Sequence, residues 1–583
     1  MSLLDTASLI VTPNAYKEGK LYSVIPSDGS GDLSVTRATT ATRVNSAGLV
    51  ELVPYNLVRY SEQFDNAAWN SVIGGGGFAP VRTANAAIAP NGTLTADQIV
   101  FNRGTGVTAS SISGLNQSTS PISETCTGSI WIKAATIGDV GKQIAIRHRS
   151  TAYVVYTLTN EWVRVSSTQT GANLTFDIVN RATFTADEIV SVLLWGAQLV
   201  EGTEAKDYFA TETRLNISRL DYSLGGCPSI LVEPQRTNLL QRSEEFDNAY
   251  WTKDTATISA NATTAPNGTL TADKLIGNNG STFSAVNRSN SVTASTLYTL
   301  SVYVKAAEVT WFELVATGAT IASPARLWVN ASTGVLGTNN GGFSSATITN
   351  TGNGWFRVTA TYTTTSTSSV VYFVNASADN VNAYSGNGVN GIFLWGAQLE
   401  AGAYPTSYIP TTSASVTRNY DQFIKTGISS LIGQTEGTLF LDVNFNGIES
   451  NVTTAIDSLM LLDDGTTNNI IGIALDTPSS NPKTLFGFVR IGGAFQALIY
   501  DSVIATNTRY KIALAYKFND IAFYINGQLI GTDTSVSIPA TSNIRLTQRS
   551  DSSWANECRT LYNSTAIFET RLTNAELATL TAI

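Results

Sequence analysis

Ser129-Ile130-Trp131-Ile132-Lys133-Ala134-Ala135 returns, far along the chain, as Ser301-Val302-Tyr303-Val304-Lys305-Ala306-Ala307. Both stretches alternate with period two. β-Branched residues share one side; an aromatic and a lysine share the other, as in a strand with one buried face. Four further blocks recur in the same order. Asn56-Leu57-Val58 through Trp69 returns as Asn238-Leu239-Leu240 through Trp251, and Ala89-Pro90-Asn91-Gly92-Thr93-Leu94-Thr95-Ala96-Asp97 returns at Ala265 to Asp273. Asn160-Glu161-Trp162-Val163-Arg164-Val165 matches Asn353-Gly354-Trp355-Phe356-Arg357-Val358, and Leu194-Trp195-Gly196-Ala197-Gln198-Leu199 matches Leu394 to Leu399. The spacing changes only between blocks, where loops lie. Five ordered blocks define a duplicated domain, too long for a solenoid repeat, so each copy holds its own core.

The intervening sequence is rich in β-branched and aromatic residues and punctuated by Gly, Asn and Ser, as in Gly337-Thr338-Asn339-Asn340-Gly341-Gly342. The fold class is therefore all-β, with tandem β-sandwich (jelly-roll) modules. The last third does not repeat. Gly437 to Phe445 and Arg509 to Tyr516 alternate as strands, and Asn526-Gly527 marks a type I′ hairpin turn. Thr573-Asn574-Ala575-Glu576 has capping-box spacing and predicts one short terminal helix. The expected organisation is a segment 1–52, module 1 at 53–212, a connector 213–236, module 2 at 237–415 and a different sandwich at 416–583. Thr42-Arg43-Val44-Asn45, Thr213-Arg214-Leu215-Asn216 and Thr417-Arg418-Asn419 stand at the junctions. They read either as solvated linkers or as extended connectors whose arginine pins a neighbouring domain.

Charged residues make up only 14% of the 583, and the net charge is −9. Such a surface suits hydrogen bonding to neutral partners such as sugars and argues against nucleic acid, which needs a positive footprint. No apolar run reaches about 18 residues, so no membrane insertion is expected. The beginning, Met1-Ser2-Leu3-Leu4-Asp5, lacks the basic and apolar regions of a secretory signal, which points to synthesis in a cytoplasm. Cys126, Cys227 and Cys558 read as small buried hydrophobes. The single histidine, His148 between Arg147 and Arg149, reads as packed or solvated rather than catalytic.

The Ser-Glu-Gln/Glu-Phe-Asp-Asn-Ala-X-Trp opening, the Ala-Pro-Asn-Gly-Thr-Leu-Thr-Ala-Asp block and the Leu-Trp-Gly-Ala-Gln-Leu ending resemble carbohydrate-binding-module-like jelly rolls of tailed-bacteriophage virion proteins. The last third, with Phe523-Tyr524-Ile525-Asn526-Gly527 and Leu572 to Leu577, resembles concanavalin-like, laminin-G-type sandwiches. The prologue Val35 to Leu49 is similar to leaders of phage tail or fibre proteins. The resemblance implies a virion component made in the bacterial host's cytoplasm, a tail or head fibre or similar appendage. Its partners would be other virion proteins and a host-surface glycan, and its oligomer a trimer. Residues 1–52 would be an attachment segment ordered by docking on another protein or a sister chain, and residues 416–583 the distal tip.

No acid pair, nucleophile elbow, phosphate loop or zinc-ligand set is visible, so no enzyme activity is expected. The repeated acids Glu62/Glu244, Asp65/Asp247 and Asp97/Asp273 read as turn and cap residues. No cofactor is expected beyond calcium. Asp463-Asp464 reads as a plain turn or, through the laminin-G resemblance, as a calcium-ligating pair. For carbohydrate, Trp131, Lys133, Trp162 and Arg164 share an outward strand face in module 1, as do Tyr303, Lys305, Trp355 and Arg357 in module 2. These rings either stack on sugars while Lys and Arg donate hydrogen bonds, or are covered by a loop or the next module. Trp554, in a polar loop, reads as a sugar contact or an edge-packed ring.

Overall fold

The computed structural model describes residues 3–119, 125–319, 324–381, 383–448, 456–476, 484–547 and 557–583. The chain forms two compact units, Leu52–Leu215 and Met1–Glu51 with Asn216–Ile583.

The unit Leu52–Leu215 is module 1, a sandwich of two antiparallel five-stranded sheets. One runs Val154–Thr157, Gln143–Arg149, Asn173–Arg181, Ile112–Ser118, Asn70–Gly74. The other runs Val163–Thr170, Thr125–Ala134, Ile189–Glu201, Leu94–Asn102, Val81–Ile88. Ile130 and Ile132 enter the core beside Phe64, Trp69, Phe101 and Phe176, while Trp131 and Lys133 face outward. The period-two alternation sets this directly.

Module 2 lies in the other unit and repeats the strand order. One sheet runs Thr252–Asp254, Ala285–Ser291, Ser368–Ala376, Trp311–Ala316, Ala325–Asn330, Val335–Asn339. The facing sheet runs Ala256–Thr263, Ala272–Gly277, Gly391–Ala401, Leu297–Ala306, Trp355–Thr363, Ser345–Gly352. The strands Val335–Asn339 and Ser345–Gly352 have no counterpart in module 1. They account for the wider spacing between the second-copy blocks that begin at Ser301 and Asn353.

The repeated residues are mostly turn and packing devices. Asn91 and Asn267 accept from the backbone and hydroxyl of Thr93 and Thr269, closing the Pro-Asn-Gly hairpins. Asp97 accepts from the Phe64 and Asn85 amides, and Asp273 from the Phe246 and Asn261 amides. Gly196 and Gly396 have φ of 66° and 64° and lie beneath Trp131 and Tyr303. A Cβ there would come within 2.9 Å and 3.0 Å of the rings.

The C-terminal sandwich packs strands such as Glu436–Gly447, Thr508–Lys517 and Arg559–Phe568 against a sheet containing Ile456–Asp463, Ile470–Asp476 and Thr484–Ile491. Asn526 and Gly527 adopt φ of 49° and 79° in the hairpin between Ile521–Ile525 and Gln528–Asp533. The helix Asn574–Thr581 carries the full capping box of Thr573 and Glu576.

The N-terminal segment differs from its sequence expectation. Leu9–Val11 pairs with Arg559–Phe568, and Leu33–Thr36 pairs with Gln422–Lys425. The segment is thus ordered by its own chain, and residues 9–36 share one domain with residues 416–583. An anchor-to-tip reading along the sequence does not hold. The connector also builds sheet, since Ser229–Val232 pairs with Arg559–Phe568. Among the junction arginines, Arg418 is 1% exposed and ion-paired to Glu233, so this one pins rather than links. Cys126 and Cys558 are buried, whereas Cys227 is exposed, unlike the expectation for it.

Candidate functional site

The outward aromatic faces of the two modules have the same plan. In module 1, Trp131 meets Trp195 and Tyr208 edge-on at 5.1 Å and 5.4 Å between centroids. The Arg164 guanidinium lies 4.5 Å over the Trp131 ring and donates to Ser129 Oγ and the Lys206 carbonyl. In module 2, Tyr303 meets Trp395 and Tyr408, and Arg357 donates to Ser301 Oγ and the Thr406 carbonyl. Both arginines are therefore clamps tying a loop to the central strand, rather than donors presented to a sugar. Each cluster rests on a carboxylate. Tyr208 donates to Glu62, and both Tyr408 and the Trp395 indole donate to Glu244. Burial raises the Glu62 pKa, offset in part by the Tyr208 hydrogen bond.

The two faces differ in access. Tyr303, Trp355, Trp395 and Tyr408 are 4%, 1%, 1% and 2% exposed. Tyr303 and Trp355 thus have no ring face available for stacking. The covering reading holds for module 2, where Val50 packs into the cluster. In module 1, Trp131, Trp162 and Tyr208 are only half-buried, as are Lys133 and its counterpart Lys305. Arg164 occupies one face of Trp131; Trp162 is tied by its indole N–H to the Ile88 carbonyl.

Asp463 is fully buried. It accepts from the Gly465 amide and Asn543 side chain and is ion-paired with Arg545. Asp464 accepts from Thr466 and Asn469. N–H donors, one of them cationic, converge on Asp463. Calcium requires a shell of oxygen ligands, so this pair does not fit the ion. Among the described residues no group of three or more His, Cys, Asp or Glu is placed to hold a metal. Trp554 lies outside the described residues.

Sequence reading did not single out a cavity of about 390 Å³ at one end of module 1, lined by Arg147, Arg149, Ser150, Thr151, Thr170, Gly171, Ala172 and Asn173. Two turns make it, one following strand Gln143–Arg149 and one joining Val163–Thr170 to Asn173–Arg181. Arg147 is ion-paired with buried Asp177 and lies 4.6 Å over the Tyr153 ring. Gly171 has φ 146°, and a Cβ there would meet the Arg149 carbonyl at 2.6 Å. Behind the wall, Gln169 accepts from the His148 amide and donates to the Ala152 carbonyl. His148 faces inward and is fully buried, with Nε2 between the Gly128 amide at 3.1 Å and the Ser167 carbonyl at 2.9 Å. The only sequence signal was the Arg-X-Arg alternation around His148. It places the histidine inside and Arg147 toward the rim, whereas Arg149, past a register shift, is itself buried.

Burial lowers the His148 pKa from 6.5 to about 4. The unfolded chain therefore takes up a proton between these values that the folded module does not. Stability conferred by the neutral ring is present above pH 6.5 and lost as pH falls toward 4. Module 1 should be less stable at pH 4.5 than at pH 7.5, by up to about 3 kcal/mol. In urea melts, His148→Gln should flatten this dependence between pH 4.5 and 6.5. An unchanged slope in the variant would assign the pH dependence to other groups.

No protein-family model and no curated protein matches the chain. Solved structures similar to part of it include the CBM40 domain of Ruminococcus gnavus IT-sialidase bound to α2,3-sialyllactose. That match has 16% identity, spans 27% of this chain and 91% of that one, and has a TM-score of 0.22. The botulinum neurotoxin type G receptor-binding domain matches at 12% identity over 27% of this chain and 41% of its own, with a TM-score of 0.20. Leech intramolecular trans-sialidase, complexed with 2,7-anhydro-Neu5Ac, matches at 16% identity over 26% and 24%, also at 0.20.

Proposed function

We propose that the chain is a non-enzymatic structural and adhesion component of a bacteriophage particle that contacts a glycan through module 1. The phage assignment is supported by the repeated blocks and prologue of the sequence. The glycan assignment is carried by one observation, the polar cavity of module 1. Its lining of hydroxyl and amide groups, with the partly exposed Arg147 beside them, places several polar groups within one depression, as a sugar ring with many hydroxyls requires. The turns that form it are held from behind by Gln169, so the donors are positioned before a ligand arrives.

A glycan array probed with the full chain tests this. Ala172 is exposed on the cavity rim. Ala172→Trp should fill the cavity without disturbing the core and weaken binding at least about tenfold, or 1.4 kcal/mol. Equal binding by both proteins would move the glycan site elsewhere. A silent array would favour a second reading, a virion spacer without glycan binding. That reading is supported by the sealed aromatic face of module 2, where rings serve packing alone.

A further inference from the structure

The repeat unit is larger than the sandwich, because each copy is preceded by a hairpin of one design. Ahead of module 1, Ala41–Val44 and Val50–Val53 form a two-stranded sheet, and Arg43 is ion-paired with Glu51 at 2.9 Å. Ahead of module 2, Leu220–Asp221 pairs with Ser229–Val232, and Arg219 is ion-paired with Glu233 at 2.6 Å. The sequences echo one another, Arg43-Val44-Asn45 with Arg219-Leu220-Asp221 and Val50-Glu51 with Val232-Glu233.

Each hairpin seats on the domain after its own module. The second joins the C-terminal sandwich, with Ile230 opposite Tyr562. The first closes the aromatic face of module 2. The Val50 amide donates to the Pro266 carbonyl at 3.0 Å, Thr42 Oγ1 donates to the Tyr408 carbonyl at 2.5 Å, and Leu49 lies against Gly268. Pro266 and Thr269 are consequently buried.

Module 1 carries the same receiving surface uncovered. Pro90 and Thr93, the counterparts of Pro266 and Thr269, are exposed, and the rings of Trp131, Trp162 and Tyr208 are half-buried. No hydrogen bond to the Pro90 carbonyl occurs among the described residues. We propose that this face is the docking site for a β-hairpin of a different protein, built like residues 41–51. That hairpin would donate a backbone N–H to the Pro90 carbonyl and set an aliphatic side chain, in the place of Val50, on the Trp131–Trp195–Tyr208 cluster. The series in which every hairpin caps the following sandwich then continues across a protein–protein junction. The face involves different residues from the glycan cavity, and the proposal stands without it.

The probe is a backbone-cyclised peptide of residues 39–54, since a free two-stranded hairpin is marginal in water. Titrated into the full chain, it should bind saturably, one per chain, and change tryptophan fluorescence. Thr93→Lys, at an exposed turn outside the sandwich core and checked for unchanged melting, and a peptide carrying Val50→Asp should each weaken binding at least about tenfold. Ala172→Trp should leave it unchanged. Absence of saturable binding, or binding indifferent to Thr93→Lys, would overturn the proposal. So would self-association of the chain abolished by Thr93→Lys, which would make a second copy the occupant. Oligosaccharide binding lost in Thr93→Lys without peptide binding would assign the face to glycan instead.

Discussion

A chain lacking residues 1–36 is expected to lose the fold of its C-terminal sandwich while module 1 stays intact. The deletion removes Leu9, Val11, Leu21, Leu33 and Val35, each no more than 3% exposed in the main core of that sandwich. At the usual value for burying an aliphatic side chain, their loss amounts to about 8–15 kcal/mol. That is comparable with the whole stability of a typical domain, roughly 5–15 kcal/mol. The deletion also strips Leu9–Val11 from one edge of Arg559–Phe568 and Leu33–Thr36 from one edge of Gln422–Lys425. Such unpaired edges promote aggregation. Module 1 draws its core from its own strands, among them Ile99, Phe101, Ile130 and Phe176. Limited proteolysis with fragment mapping provides the measurement. Cleavage should concentrate in residues 416–583, with dye binding to exposed apolar surface. A truncated chain with protection and melting equal to the full chain would show that the N-terminal strands are dispensable.

The contrast with the sequence expectation has a physical cause. A three-residue strand such as Leu9-Ile10-Val11 carries too few alternations to announce itself, and its partner Thr565–Ile567 lies near the other end of the chain. Pairing over such separations depends on the assembled core and leaves no local signature. The duplicated sandwiches were legible because their signals are local. Period-two alternation places Ile130 and Ile132 inside, Pro-Asn-Gly closes a hairpin, and Asn526-Gly527 supplies positive φ. Periodicity also put Trp131 and Tyr303 correctly on the outer face. It could not tell that Arg164 and Arg357 lie over those rings, nor that residues 41–51 cover one copy. The module 1 cavity was hidden for a related reason, since its walls are two turns distant in sequence. Asp463 and Asp464 looked alike as a pair. Yet Asp463 closes the strand Ile456–Asp463, opposite Asn543, and is ion-paired with Arg545 of that neighbouring strand, whereas Asp464 caps the following turn.

A cluster of buried arginines, the junction residue Arg418 among them, leads to the second large effect. Arg37, Arg219 and Arg418 are 1%, 0% and 1% exposed and gather around two carboxylates, Asp421 and Glu233, with Arg559 at the margin. Glu233 accepts from Arg219 at 2.6 Å and from the Ser407 amide and hydroxyl at 2.7 Å and 2.6 Å. Burial alone would raise its pKa, but Arg418, Arg219 and Arg559 overcome that and hold it well below the usual carboxylate range. Arg37, by contrast, is lowered to about 10, because burial outweighs its pairing with Asp421.

These charges come from the N-terminal segment, the hairpin before module 2, the start of the last domain and, through Arg559, the strand Arg559–Phe568, so one cluster locks four stretches of chain together. Glu233→Gln keeps the shape but removes the carboxylate that Arg219, Arg418 and Arg559 share. Removing one partner of a buried charge pair costs about 3–5 kcal/mol, because the remaining charge stays buried without compensation. The urea midpoint of the unit containing Glu233 should fall accordingly, with module 1 unaffected. Replacing Glu233 by Gln and Arg418 by Met together should cost less than Glu233→Gln alone, since the double change removes a charge of each sign. The pH dependence should differ from that of His148. A carboxylate with a depressed folded pKa contributes fully above its unfolded value near 4.5, and this is lost only as pH falls below that value. Acid sensitivity of this unit should therefore begin about two pH units below the onset in module 1. A Glu233→Gln protein with wild-type stability would mean that the cluster is held by packing rather than by charge.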